Sequence, residues 1–97
     1  MIRHVVFFRF NEDAPEEGRK GMADGLGALP GKISQIKGWS QGFNTVPSDR
    51  NYDFCLIADF ATAEDLKLYG DHPAHQEVVT EWVRPFVASV AAVDFSS

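Results

Sequence analysis

The chain has 97 residues, of which 44% are hydrophobic and 24% charged, and these are ordinary proportions for one globular domain spanning 1–97. Its formal net charge of −5, with only nine scattered Lys and Arg residues, argues against nucleic acid or an anionic membrane surface as a partner. No apolar run approaches the roughly 18 residues that a membrane-spanning helix needs.

The only cysteine, Cys55, cannot form a disulfide within the chain and lies in an apolar run. A buried structural thiol is the commoner role for such a residue. The chain starts directly with a strand-like run rather than a signal segment. We therefore expect a soluble protein in the reducing cytoplasm.

The first half of the chain predicts a strand and then a helix. The run Ile2–Phe10 (IRHVVFFRF) is rich in β-branched and aromatic residues, which favours a strand. Pro15 suits the first turn of a helix, and Met22, Leu26 and Leu29 recur at helical spacing to form one apolar stripe. Four glycines within this helix each lower its stability by up to about 1 kcal/mol relative to alanine. The helix is therefore expected to be the least rigid regular element.

The second half predicts three more strands and a helix broken in two. Strands are predicted at Ile33–Thr45 and Tyr52–Phe60, followed by a short helix at Thr62–Tyr69. A second helix runs from Pro73 to about Arg84, where a proline ends it, and the last strand covers Phe86–Phe95. The order strand, helix, strand, strand, helix, strand is typical of an α+β ferredoxin-like βαββαβ fold, an antiparallel sheet with its helices on one face.

One face of the predicted sheet has an apolar centre between two charged pairs. When the first and third strands are paired antiparallel, one register places Arg3 opposite Asp59 and Arg9 opposite Asp53. The residues between these pairs on the same face are Val5, Phe7, Cys55 and Ile57. An apolar centre with a polar rim is how protein interfaces are built. This face is therefore predicted to pack on a second copy of the chain, giving a homodimer.

The other face is almost wholly apolar and is expected to lie under the helices. In the same register its residues are Ile2, His4, Val6, Phe8 and Phe10, opposite Phe60, Ala58, Leu56, Phe54 and Tyr52. His4 is the only histidine among them. A polar side chain beneath an apolar layer needs a hydrogen-bond partner, so His4 is expected to face a cavity that contains water or a ligand.

The groups suited to proton transfer concentrate in one segment, LKLYGDHPAHQEVVTEW at 66–82. His75 shares a helical stripe with Val78, Val79 and Trp82, so it projects toward the core. Tyr69 lies three residues after Leu66 on the inward face of the short helix. His72 precedes Pro73 and is expected at the helix cap. The same pattern also fits a purely structural role, in which His75 is a hydrogen-bonded core histidine and Tyr69 is a packing residue.

Tyr69, His75 and His4 are predicted to converge on a mostly apolar pocket, which is the usual form of a small-molecule site. Its walls are predicted to come from Val6, Phe8, Phe54, Leu56, Val79 and Trp82. Imidazole titrates near neutral pH, so His75 could act as a general base, and Tyr69 could donate to a developing oxyanion. The ligand would be a small apolar or carbonyl compound. No Cys–His metal spacing is present, and neither a metal nor a cofactor is expected.

Five segments resemble one family, the Dabb proteins, which are stress-responsive dimeric α+β barrels. They are IRHVVFFRF, LPGKI, YDFCLIADF, LYGDHPAH and VDF, which together span nearly the whole chain. The resemblance implies a ferredoxin-like protomer whose sheet packs on the sheet of a partner. Most members of the family have no established activity.

A plant member of the family is a polyketide cyclase that closes a linear polyketide-CoA ester by intramolecular aldol condensation. The resemblance carries its catalytic Tyr and His onto Tyr69 and His75, and a pocket histidine onto His4. Where that protein has a histidine on its third strand, this chain has Phe54. Three functions are left open: a pocket protein of uncertain activity, a cofactor-independent polyketide cyclase-like enzyme, and a cofactor-free oxygenase or haem-binding protein of the same fold.

Overall fold

A computed structural model describes residues 1–97 and shows a four-stranded antiparallel sheet with its helices on one face. The strand order across the sheet is β2-β3-β1-β4. The elements are β1 (Ile2–Phe10), α1 (Glu16–Gly27), a 3-10 turn (Leu29–Gly31), β2 (Gly38–Phe43), β3 (Phe54–Phe60), α2 (Ala63–Asp71), α3 (Pro73–Val78), a π turn (Val79–Val83), α4 (Arg84–Phe86) and β4 (Val87–Ser96). The predicted ferredoxin-like fold is confirmed. No helix combines the length and apolar character that crossing a bilayer requires.

Several predicted element boundaries were wrong, including the start of the third strand, which is Phe54 rather than Tyr52. The second strand begins at Gly38 rather than Ile33, because Ile33 continues the preceding turn by donating its backbone N–H to the Leu29 carbonyl at 2.9 Å. The proline at position 85 does not end the helical segment. It lies within α4, and the helical segment continues to Phe86 before β4 begins at Val87.

The predicted register between β1 and β3 is confirmed along most of its length. Arg3 pairs with Asp59, Val5 with Ile57, and the pairing continues to Phe8 and Phe54. The Arg3 Nε donates to Asp59 Oδ1 at 2.9 Å, which fixes one charged end of the open face.

The predicted pairing of Arg9 with Asp53 was wrong, because Asp53 lies outside the ladder. Its carboxylate instead accepts the backbone N–H of Phe10 at 2.8 Å, which caps the end of β1. The Arg9 guanidinium lies 4.3 Å from the centre of the Tyr52 ring. Tyr52 also contacts Phe7, at 6.0 Å between ring centres, so it lies on the open face rather than under the helices.

The core lies between the inner face of the sheet and the helices. Alternate side chains of β1 and β3 are buried there against the apolar stripe of α1. The principal members are Val6, Phe8, Phe10, Phe54, Leu56, Ala58, Phe60, Met22, Leu26 and Leu29. His4 is on the same face, nearer the edge of this core, and this places it beside the helical layer.

The opposite face of the sheet carries no helix, and it is more apolar than the sequence alone indicated. Besides Phe7, which is 37% exposed, β4 contributes Val93 at 57% and Phe95 at 44%. The register pairs Val5 with Val93 and Arg3 with Phe95, so these residues share one face. We call this surface, formed by Arg3, Val5, Phe7, Arg9, Cys55, Ile57, Asp59, Val93 and Phe95, the open face.

Candidate functional site

A break between α2 and α3 positions the residues that the sequence singled out. The residue before a proline avoids helical backbone, and His72 accordingly has φ −63 and ψ 136. Its Nδ1 accepts the backbone N–H of Ala74 at 3.0 Å, so His72 caps α3 as predicted. In a continuous helix that N–H would reach the carbonyl of Gly70. The break therefore leaves the Gly70 carbonyl available to other donors.

A cavity of about 310 Å³ lies between the sheet and the helical layer. Its lining comes from β1, β3, β4 and from the helical segments, and it is mostly apolar. The lining residues are His4, Val6, Phe8, Leu26, Leu56, Tyr69, His75, Val79, Val83, Val90 and Ala92. The only polar side chains among them are those of His4, Tyr69 and His75, so the cavity brings together the three residues predicted to converge.

Tyr69 is a buried residue whose hydroxyl has no protein partner. The residue is 2% exposed, and its ring centre lies 4.5 Å from that of His75 and 6.0 Å from that of His4. No fully buried side-chain polar atom in the chain lacks a hydrogen bond, so the Tyr69 hydroxyl must reach the free space of the cavity. Burial raises the pKa of Tyr69 well above its usual value. The hydroxyl therefore stays protonated and is available as a donor.

His75 is held in one tautomer. Its Nδ1 lies 3.1 Å from the Gly70 carbonyl oxygen that the helix break leaves available. A carbonyl only accepts, so Nδ1 carries the proton, and in the neutral ring Nε2 keeps its lone pair. Burial lowers the pKa of His75, although the bond to Gly70 acts the other way. At neutral pH the ring is thus neutral, with a free base at Nε2.

His4 has a partner that the sequence analysis missed. Its Nδ1 donates to the carboxylate of Asp94 on β4, and the His4 side chain is 16% exposed against 45% for that of Asp94. The strand register places Asp94 directly beside His4. The sequence contains a pattern that predicts this contact, because alternation along the last strand puts Asp94 on the same face as Ala92 and Val90. The predicted register joined only the first and third strands, so it did not place β4 beside His4.

Trp82 does not line the cavity, contrary to prediction. The π turn at Val79–Val83 takes more residues per turn than an α-helix, so the apolar stripe is shifted by one residue and Val83 occupies the inward position. Trp82 instead packs on α1, where a Cβ placed on Gly21 would lie 2.2 Å from its ring.

Phe54 also lies away from the cavity. It begins β3 and is 2% exposed, packed at 5.8 Å from the ring centre of Phe8 and 5.0 Å from that of Phe43. It is a core residue. Phe54 and Trp82 were predicted to form part of the cavity wall. That part is formed instead by Leu26, Val83, Val90 and Ala92.

No group of three or more His, Cys, Asp or Glu side chains lies close enough together to hold a metal ion. A second, broader hollow of about 660 Å³ is part of the sheet surface away from the helices, where its walls include Phe7, Tyr52, Cys55 and Ile57. It contains none of the histidines. The candidate chemistry is therefore confined to the smaller cavity.

Comparison with known proteins places this arrangement in a family. Residues 2–97 match the Dabb family, described as the Stress responsive A/B Barrel Domain. An uncharacterized protein of Streptomyces coelicolor is 34% identical over 94 residues, covering 95% of this chain and 96% of that protein.

Solved structures share the fold. A dimeric ferredoxin-like protein of unknown function from Thermobifida fusca has a TM-score of 0.88 at 29% identity, covering 99% of this chain and 90% of that one. A hydroxynitrile lyase from Passiflora edulis has a TM-score of 0.84 at 17% identity, covering 97% of this chain and 90% of that one, a likeness of fold alone. With the family match over nearly its whole length, the chain belongs to the Dabb family of stress-responsive A/B barrel domains.

Proposed function

We propose that this protein binds a small, mainly apolar carbonyl compound and moves a proton on it without a cofactor. One observation carries the proposal: a single cavity holds a neutral histidine with a free Nε2 and a tyrosine hydroxyl with no protein partner. A histidine and a tyrosine that served only packing would not both leave polar atoms without a partner in the same apolar space. These are the groups that enolate chemistry needs.

In the proposed step His75 Nε2 removes a proton from the carbon next to the carbonyl. The electrons of that C–H bond form the enolate, whose oxygen accepts a hydrogen bond from the Tyr69 hydroxyl. His75 then returns the proton, to the same carbon or to the product of a bond made or broken by the enolate. Because the surrounding walls are apolar, the hydrogen bond to the developing oxyanion is worth more than it would be in water.

His4 is proposed to orient the substrate. Asp94 holds its Nδ1, so its Nε2 is the nitrogen left for a ligand. The apolar walls proposed to contact the substrate are Val6, Phe8, Leu56 and Val79, together with Leu26, Val83, Val90 and Ala92.

The polyketide cyclase reaction implied by the sequence resemblance is one instance of this class, and cleavage of a hydroxynitrile would be another. The hydroxynitrile lyase supports the proposal through its fold alone, because a protein with that enzyme name has the same fold as this chain. The second candidate is ligand binding without turnover, which the same apolar walls would allow.

We further propose a cytoplasmic homodimer formed through the open face. Its exposed apolar side chains, Phe7, Val93 and Phe95, would be covered by a second copy. The Thermobifida fusca relative is described as dimeric. The predicted contact residues are Arg3, Val5, Phe7, Arg9, Asp53, Cys55, Ile57 and Asp59. Val93 and Phe95 are proposed as further contacts, because they pair with Val5 and Arg3 on the same face.

The proposal is tested by following exchange of the methyl protons of acetophenone in D₂O by ¹H NMR. The wild-type protein is expected to accelerate exchange over buffer. His75→Ala should lower the catalysed rate by about 10²- to 10⁴-fold, and Tyr69→Phe by about 10²- to 10³-fold. His72→Asn is the matched control, because it changes a neighbouring histidine outside the cavity and keeps a good capping residue.

Exchange that persists in both His75→Ala and Tyr69→Phe would show the mechanism to be wrong. If the wild type binds the ketone in the cavity but does not accelerate exchange, the non-catalytic role is favoured. Native mass spectrometry of the purified protein would then identify any small molecule that copurifies.

A further inference from the structure

The cavity has no fixed positive charge to offset that of a bound anion. None of its 11 lining residues is Lys, Arg, Asp or Glu. Arg3 and Arg84, which are next to His4 and Val83 in the sequence, do not line the cavity. A carboxylate buried without a cation or enough donors is strongly disfavoured.

The donors and acceptors in the cavity also mismatch a carboxylate. Tyr69 supplies one donor. His75 presents Nε2 as an acceptor, because its Nδ1 is bound to Gly70. His4 presents Nε2 as an acceptor in its neutral form, because its Nδ1 is bound to Asp94. A carboxylate has only acceptors, whereas a ketone or aldehyde needs just the one donor that Tyr69 provides.

Asp94 also keeps the His4 side of the cavity from carrying a net positive charge. With neutral His4, the His4–Asp94 pair carries one negative charge beside the cavity. With protonated His4, the pair carries no net charge. In neither state is the pair a net cation, so it cannot attract an anionic ligand.

We propose that the cavity selects uncharged carbonyl compounds, and that Asp94, acting through His4, is the residue that excludes carboxylates. The substrate class is thus a small ketone, aldehyde or uncharged ester, since about 310 Å³ is at the lower end of the roughly 300–1,000 Å³ found for ligand sites. This inference rests on the proposed function for the site, but it concerns which compounds the site admits.

The test compares two probes of similar shape, acetophenone and benzoate, by chemical-shift titration of the ¹⁵N-labelled protein at neutral pH. Acetophenone is expected to shift signals of the cavity residues and to bind at least about tenfold more tightly than benzoate. Equal affinities, a preference for benzoate, or no binding of acetophenone would overturn the proposal.

Two variants distinguish the effect of the Asp94 charge from the effect of removing a charge elsewhere on the protein. Asp94→Asn keeps an oxygen that can accept the His4 Nδ1–H but removes the charge, so the acetophenone-to-benzoate affinity ratio is expected to fall by about tenfold. Asp24→Asn is the matched control, because it removes the same charge from an exposed pair with Lys20 on α1, and the ratio should stay at the wild-type value. An unchanged ratio in Asp94→Asn would overturn the role of Asp94.

The two proposals fail in different ways. Acetophenone binding with charge discrimination but without proton exchange would disprove the catalytic function and leave the selectivity standing. Proton exchange with equal binding of benzoate would disprove the selectivity and leave the catalytic function standing. If Asp94→Asn does not fold, the wild-type comparison of the two probes still decides the selectivity.

Discussion

The tautomer of His75 depends on one carbonyl oxygen. Pro73 interrupts the helical hydrogen bonds, His72 takes the N–H of Ala74, and the Gly70 carbonyl is left to accept from the His75 ring. A local break in the chain thereby sets the tautomer of a residue five positions away from Gly70. The residue-scale predictions test the charge state of His75 and the partnerless hydroxyl of Tyr69.

The pKa of His75 is lowered by burial from its ordinary value of 6.5, so the group is neutral over a wider pH range in the folded protein than in the unfolded chain. Between the two pKa values the unfolded chain binds more protons, so the free energy of unfolding rises with pH in that window. The contribution of His75 is therefore fully present above pH 6.5 and decreases as the pH falls toward the folded pKa.

We expect the exchange rate of acetophenone to stay constant as the pH falls through 6.5 and to decline only at lower pH. The measurement is an NMR titration of the His75 ring signals, run beside the rate profile. A His75→Gln variant, which lacks the titrating group, should show a smaller dependence of its unfolding free energy on pH in the same window. A His75 pKa above 6.5 would contradict this prediction.

Two substitutions of Tyr69 are predicted to differ in their effect on the free energy of unfolding. Since its hydroxyl has no protein partner, Tyr69→Phe should change the free energy of unfolding by no more than about 1 kcal/mol. Tyr69→Ala removes a ring that is 2% exposed and should cost about 3–5 kcal/mol. Urea denaturation measures both, and a large loss of stability in Tyr69→Phe would indicate a structural hydrogen bond instead.

At the scale of elements, the close packing of α1 on the π turn shapes the cavity wall. The glycines of α1, expected from the sequence to weaken the helix, leave room for side chains of other elements. A Cβ on Gly21 would lie 2.2 Å from the Trp82 ring, and one on Gly18 would lie 2.9 Å from that of Phe86. The extra residue of the π turn allows Trp82 to face α1 while Val83 faces the cavity.

Gly21→Ala and Gly70→Ala are predicted to change stability in opposite directions. Both positions are helical, and alanine favours a helix by about 1 kcal/mol over glycine. At Gly70 nothing lies within 4 Å of the added Cβ, so this gain should be realised. At Gly21 the added methyl displaces the Trp82 ring and should give a net loss of about 1–3 kcal/mol. Urea denaturation measures both, and a more stable Gly21→Ala would show that α1 and the π turn are loosely packed.

At the scale of the whole molecule, the sheet has two apolar faces and only one covering layer. The helices cover the inner face, whereas the open face leaves Phe7, Val93 and Phe95 in contact with water in a single chain. Contiguous exposed apolar surface of this kind marks an interaction site. A charged rim of Arg3 and Asp59 borders it, bound together at 2.9 Å.

Val93→Glu is predicted to convert the dimer to a monomer, because it would bury an unpaired carboxylate at the centre of the proposed interface. Leu68→Glu is the control, since Leu68 is a similarly exposed apolar residue, 49% against 57%, but lies on α2 away from the open face. Sedimentation velocity at micromolar concentration distinguishes the two species. A monomeric wild type, or a dimeric Val93→Glu, would contradict the proposed interface.

The sequence by itself determined the fold, the register of β1 on β3 and the three polar groups of the cavity. These follow from local rules: alternation assigns the faces of strands, proline sets a helix break, and opposite charges select a register. Such rules act over a few residues or between directly paired strands, so they can be applied without coordinates.

Only the tertiary structure decided which side chains complete the site. Val83 rather than Trp82 lines the cavity, because the additional residue in the π turn rotates the side chains that follow it. The prediction from sequence assumed the same number of residues in every helical turn. Asp94 joined His4 only once β4 was paired beside β1. The start of β3 was also misplaced, since Asp53 lies before the strand and accepts the backbone N–H of Phe10 rather than pairing with Arg9. The Asp94 and Asp53 contacts join segments that are distant in sequence, so the pattern within one segment is not enough to predict them.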